Sequence, residues 1–297
     1  MRKFSLLLVS IFSAFLVSCH KDDSSVAPPR DYTEQYTTDA AAIDDFIDTH
    51  SMTVSPDYDV AFDSITTDHP GVSIREQTDY PLQFKMVEDT VHDISYKLYY
   101  IKLRDGSNRK PCAVDSVDVA YKGVLAVHTM TAFETQPTPL WFTLDNVIRG
   151  WREIIPMFKT GFYDNSGGPN PVTFTDFGAG VMFIPSGLGY YNLGSGGVSA
   201  YSNLVFSFKL CELRWRDHDR DGILSKDEIG TDSDDPTSLD TDNDGVKNYL
   251  DVDDDGDHIL TKDEIHKDSS GNIIFEDCDG DGIPNYLDPD SNGATCN

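Results

Sequence analysis

Four times in its last 81 residues the chain repeats one spacing of aspartates. Asp217, Asp219 and Asp221 precede Gly222, with Glu228 at the twelfth position. Asp240, Asp242 and Asp244 precede Gly245, with Asn248 at nine and Asp251 at twelve. Asp253, Asp255 and Asp257 lead to Glu264, with His258 in the glycine position; a register starting at Asp251 would put Gly256 there instead. Asp277, Asp279 and Asp281 precede Gly282, with Asp288 at twelve. Carboxylates at one, three, five and twelve around a sharp turn make an all-oxygen donor set of the kind that suits Ca²⁺. The segment from 217 to 297 carries 25 Asp/Glu against 5 Lys/Arg, a net charge of −20. With so few Leu, Ile, Val and Phe it cannot bury enough apolar surface to fold unaided. The expectation is a disordered tail or a module completed by a cation, and the Asp spacing favours the cation. No Lys/Arg cluster exists to neutralise phosphates, which excludes a nucleic-acid binder.

The loops begin at intervals of 23, 13 and 24 residues, and Gly230, Pro236 and Pro284 break the spacers. EF-hands need flanking helices of roughly ten residues, for which these intervals leave little room. The segment more closely resembles thrombospondin type 3 repeats. That resemblance implies calcium-filled loops stacked on one another with little secondary structure.

The other end of the chain reads as an export signal. Arg2 and Lys3 precede an apolar run of about 14 residues, Phe4 to Val17, short of the ~20 needed to span a bilayer. Leu16-Val17-Ser18-Cys19 resembles a bacterial lipobox, which implies removal of residues 1–18 and a lipid on Cys19 as the membrane attachment. Lys21-Asp22-Asp23 resembles the signal that sends some lipoproteins to the outer face of the outer membrane. Residues 19–37 then read as a tether, and the eighteen from 20 to 37 reach at most ~60 Å. Residues 38–95 read as an N-terminal extension. In it Thr38 caps a helix from Asp39 to His50, with Ala41, Ala42, Ile43, Phe46 and Ile47 on one face.

From Tyr96 the pattern is that of strands: Tyr96–Leu103, Ser116–Gly123 with alternating polarity, and Asn203–Leu210. Between them Val147, Ile148, Trp151, Ile154 and Ile155 recur at three and four, which predicts one short helix from Arg149 to about Phe158. The fold class expected is α+β. Several motifs here, in order, resemble the FKBP family of peptidyl-prolyl cis-trans isomerases. They are Val119-Ala120-Tyr121-Lys122-Gly123, Ala132-Phe133-Glu134, Val147-Ile148-Arg149-Gly150-Trp151, Ile184-Pro185-Ser186-Gly187-Leu188-Gly189-Tyr190 and Leu204-Val205-Phe206. The resemblance covers residues 96–214 and implies an antiparallel half-barrel wrapped on the short helix.

It also implies a chemistry that needs no metal, acid or base. Rotation about an X–Pro bond is opposed by amide resonance, with a barrier of ~18–20 kcal/mol. A dry aromatic cradle that binds the twisted amide more tightly than the planar one lowers it. By the resemblance Trp151 forms the floor, and Tyr121, Phe133, Val147, Ile148 and Phe206 form the walls. The Ile148 N–H and the Tyr190 hydroxyl bind the substrate. Glu134 replaces the family's usual Asp, Leu140 stands where an aromatic is usual, and residues 162–180 form a Gly/Asn/Pro-rich insertion.

Beyond Cys19 there are four cysteines. Cys278–Cys296 would clasp the last loop and Cys112–Cys211 would tie two strands, with free buried thiols as the alternative. The sequence thus reads as a lipid-anchored prolyl isomerase of a bacterial outer membrane, exposed at the surface and acting on proline-containing protein clients. The rival reading is a non-catalytic surface binding or adhesion protein.

Overall fold

The computed structural model describes residues 28–127, 130–164, 172–229, 236–290 and 296. Cys19, the signal segment and Lys21-Asp22-Asp23 lie outside them. Among the described residues no helix is long and apolar enough to cross a membrane.

The centre is a six-stranded antiparallel sheet. It consists of β3 (Leu82–Asp89), β4 (Ile94–Arg104), β5 (Ser116–Leu125), β6 (Ala132–Thr143), β9 (Gly178–Ile184) and β10 (Leu204–Arg214), in the order β3-β4-β9-β10-β5-β6. Both faces are covered, which explains why β9 is buried at every position. On β4, Tyr96, Leu98 and Tyr100 pack in one core with Trp151, Ile154 and Ile155 of the segment around α2 (Arg149–Ile154). The alternate residues Tyr99, Ile101 and Leu103 pack with Ile43, Phe46 and Ile47 of α1 (Tyr32–Thr49). A hairpin of β1 (His50–Val54) and β2 (Val60–Ser64) follows α1, and Val60 joins the same core.

Two sequence expectations are corrected here. The sheet begins before residue 96, since Leu82–Asp89 pairs along its whole length with β4. The helix begins at Tyr32, inside the expected tether, and its cap is Asp31 rather than Thr38. The Asp31 carboxylate accepts from the N–H groups of Thr33 and Glu34 at 2.9 and 3.0 Å, as an N-cap with an acid three residues later should. Thr38 sits mid-helix, and its hydroxyl donates to the Glu34 carbonyl at 3.2 Å.

Helix α1 also grips the loop after β9. Asp39 is 1% exposed. Its carboxylate accepts from the Ser186 N–H at 2.9 Å, the Ser186 hydroxyl at 2.6 Å and Gln35 Nε2 at 2.7 Å. Burial pushes its pKa above the ordinary carboxylate value, while these bonds pull it down. Tyr32 stacks between His92 and Tyr191, at 3.6 and 3.9 Å between ring centroids. The extension is therefore a second covering layer that holds the segment carrying Tyr190.

The insertion after α2 forms a small pair, β7 (Phe162–Asp164) with β8 (Thr173–Thr175). Among its described residues the Asp-rich segment has only short elements: single 3₁₀ turns, α3 (Thr261–Glu264), and the pair β11 (Ile265–Lys267) and β12 (Ile273–Phe275). Cys278 and Cys296 are bonded, whereas Cys112 and Cys211 are free thiols. Burial pushes both free thiols up to about 12, so they stay protonated at neutral pH.

Candidate functional site

A cavity of about 490 Å³ opens above α2, lined by Tyr121, Glu134, Phe142, Asn146, Val147, Ile148, Trp151, Tyr190 and Phe206. Trp151 is 4% exposed and is held by ring edges. Its centroid lies 5.0 Å from Tyr121, 5.2 Å from Phe206 and 5.6 Å from Phe142, at interplanar angles of 89°, 87° and 64°. Such edge-to-face contacts fix a ring more firmly than area burial alone. Its Nε1 is buried with no hydrogen-bond partner among the described residues.

Two glycines let these groups approach. A Cβ on Gly150 would lie 2.7 Å from Ile184, so only glycine lets α2 settle on β9 here. A Cβ on Gly123 would lie 2.4 Å from the Phe133 ring, which stands on Phe206 at 5.5 Å. Ile148 caps α2 with extended backbone (φ −58°, ψ 145°), which keeps its own N–H out of the helical ladder. Burial, followed by the neighbouring Glu134 carboxylate, raises the pKa of the Tyr121 hydroxyl. Burial and the Glu134 charge likewise raise that of Tyr190. Both phenols are thus neutral donors at pH 7.

Of the residues singled out from sequence, Tyr121, Glu134, Val147, Ile148, Trp151, Tyr190 and Phe206 meet at this cavity, and Phe133 supports it through Phe206. Leu140 does not. It lies opposite Val119 on the edge strand β6 and is 47% exposed. The ladder is interrupted between Val119 and Tyr121, where β6 carries Pro137 and Pro139. Proline has no N–H to continue it, and Leu140 falls beyond that break. Phe142 supplies the aromatic instead, two residues on. Asn146 was not anticipated, since nothing in its local pattern distinguishes it from a turn residue. No described residue of the 162–180 insertion lines the cavity.

The Asp loops share one backbone design. The fourth and sixth positions have left-handed φ in all four: Arg220 and Gly222, Asn243 and Gly245, Gly256 and His258, Gly280 and Gly282. This settles the third register. Its loop starts at Asp253, with Gly256 fourth and His258, at φ 79°, sixth. In every loop the fifth N–H bonds the third carboxylate, as Asp221 does Asp219 at 3.1 Å and Asp257 does Asp255 at 3.2 Å. In every loop the second N–H bonds the ninth side chain: Ser225, Asn248, Thr261 or Asn285.

Carboxylate oxygens gather within 4.8 Å of one another in Asp217/Asp219/Asp221, Asp240/Asp242/Asp244 and Asp253/Asp255/Asp257. Asp251 is half-buried, whereas Asp277, Asp279 and Asp281 are exposed. The closing residues Glu228, Glu264 and Asp288 are 1%, 1% and 5% exposed. Both oxygens of Glu228 and Glu264, and Oδ2 of Asp288, are buried without a hydrogen-bond partner among the described residues. Burial, reinforced by neighbouring carboxylates, pushes Glu228 up to about 10 and Glu264 up to about 8. Buried carboxylates are ordinarily paired or bound to metal. These residues fit a hard cation with oxygen ligands.

Over about half its length the chain is similar to FKBP-type peptidyl-prolyl cis-trans isomerases. It is 27% identical over 141 residues to the probable FKBP-type peptidyl-prolyl cis-trans isomerase FkpA of Neisseria meningitidis serogroup B, covering 47% of this chain and 46% of that protein. The chain thus spans about half the length of this curated relative. Among solved structures, a peptidyl-prolyl cis-trans isomerase from Pseudomonas syringae pv. tomato is 27% identical, with 39% of this chain and 74% of that chain covered and a TM-score of 0.32. FkpA from Escherichia coli is also 27% identical, with coverages of 43% and 51% and a TM-score of 0.33. Residues 218–276 match the family described as BamM C-terminal.

Proposed function

We propose that the protein is an FKBP-type peptidyl-prolyl cis-trans isomerase acting on proline-containing protein clients. The observation that carries this reading is the aromatic cradle: Trp151 enclosed by three ring edges, with Glu134 the single charged residue among the described residues lining the cavity. A prolyl ring seated on Trp151 leaves water behind. The preceding carbonyl, losing conjugation as the amide twists, meets an apolar wall rather than solvent. Resonance favours the planar amide in water, so a site that prefers the twisted form lowers the barrier by differential binding. Tyr190 and the Ile148 N–H hold the peptide on either side of the bond. A protease-coupled assay with proline tetrapeptides tests this on the full chain. Acceleration of cis-to-trans exchange is expected; tight peptide binding with no acceleration would instead identify a binding protein.

The Asp loops are read as structural Ca²⁺ sites, supported by their oxygen-only ligand sets and unpartnered buried carboxylates. Cys19 is read as lipidated, and Lys21-Asp22-Asp23 as directing the protein to the outer face of the outer membrane; sequence motifs alone support this part. Cys19→Ala should give unprocessed or released protein, measured by membrane fractionation. A Cys19→Ala variant that is normally processed and still pellets with membranes would refute the anchor.

A further inference from the structure

One aspartate of the acidic segment falls outside the repeated ligand pattern. The second position is His218, Thr241 and Cys278 in three loops, but Asp254 in the third. The turn does not need this carboxylate, because the Asp254 N–H bonds Thr261 Oγ1 at 3.2 Å just as its counterparts bond their ninth residues. Yet Asp254 is 2% exposed, and neither oxygen has a hydrogen-bond partner among the described residues. One of its oxygens lies within 4.8 Å of oxygens from Asp221 and Glu228 of the first loop, which are 3% and 1% exposed. Asp221 Oδ2 and both Glu228 oxygens are also unpartnered. The charges acting most strongly on Asp254 and Glu228 come from Asp217, Asp219, Asp221, Asp251 and Asp255, all negative. Three buried carboxylates without a cation among them are a costly arrangement.

We propose that Asp254 is a ligand of the calcium ion bound by the first loop, so that this ion is shared between the first and third repeats. The inference rests on the calcium reading above and adds a coupling to it. The ion would join loops whose first residues are 36 positions apart in sequence, and filling the first site would order the third. Calcium suits the site better than magnesium, because several carboxylates crowd a site that would otherwise have to retain waters in octahedral array.

The test is calcium titration calorimetry on the full chain in detergent, beside limited trypsin digestion at each calcium concentration. Asp254→Asn preserves volume and the bond to Thr261. It should weaken one site by about tenfold or more, the scale on which lost coordination support is felt. Protection at Lys226 in the first loop and at Lys262 in the third should move together to higher calcium. Glu228→Gln should shift the same two cleavages. Wild-type calcium binding by Asp254→Asn would overturn the proposal, as would a shift confined to Lys262, since Asp254 would then serve only its own loop. A wild-type chain that binds no calcium would instead overturn the calcium reading itself.

Discussion

At pH 8 in a calcium chelator, the segment from 217 onward is expected to expand and to be cut by trypsin at Lys226, Lys247 and Lys262, while the sheet domain stays folded. The asymmetry follows from where the cores lie. Both hydrophobic clusters are built from residues 32–213, and among the described residues of the acidic segment the buried hydrophobics are few, Ile223 and Tyr286. Ordering its backbone costs about 1–2 kcal/mol per residue, which so little apolar burial cannot offset. The pH dependence has a definite sign. Glu228, Asp254 and Glu264 have folded values near 10, 9 and 8, above their ordinary 4.5, 3.8 and 4.5. A carboxyl raised in the fold stabilises it below the ordinary value, and that contribution is lost as pH rises through the folded value. Metal-free protein should therefore be most compact near pH 4 and open progressively towards pH 8 and above. Millimolar calcium should abolish the opening at pH 8, and magnesium should substitute poorly. Small-angle scattering and digestion report both effects. Equal compactness at pH 8 with and without calcium would sink the metal-ligand reading of the Asp spacing.

The second large effect is expected from Trp151→Ala. Removing a buried ring that three others touch edge-on leaves a cavity, and such truncations cost about 3–5 kcal/mol. The cradle floor goes with it, and the isomerase kcat/KM should fall about tenfold to a hundredfold, roughly 1.4–2.7 kcal/mol of barrier. Urea unfolding separates the two losses, and Trp151→Phe, which keeps an aromatic floor, should recover most of the stability and part of the rate. Tyr190→Phe removes one hydroxyl bond, worth about 0.5–1.5 kcal/mol, and should cost far less. A folded Trp151→Ala protein with undiminished acceleration would exclude the cradle as the catalytic site.

The cradle was legible because its residues cluster in short motifs whose spacing reflects local geometry. Gly150 and Trp151 are neighbours since one allows α2 to approach Ile184 and the other then faces the cavity. Leu140 misled because a break in strand pairing depends on the partner strand, which spacing along β6 does not encode. The start of α1 was missed although Asp31 and Glu34 form a cap signature; the Ser/Pro/Asp composition around them reads as leash. The proposed ligand positions within each Asp loop follow from counting along the sequence. Asp254 does not, because its relation to Asp221 and Glu228 exists only once two loops are folded against each other.

The early start of α1 has a mechanical consequence. If Cys19 carries the lipid, only residues 20–30 separate it from the helix cap at Asp31. Eleven residues extend at most ~36 Å, little more than half the reach that a leash ending at residue 37 would give. Helix α1 is bonded through Asp39 to Ser186, on the segment that leads to Tyr190. Tension on the lipid would thus be borne by the element that braces the cradle's rim. On the proposed reading, a cradle moored this way would work close to the membrane plane rather than sweep the space beyond it.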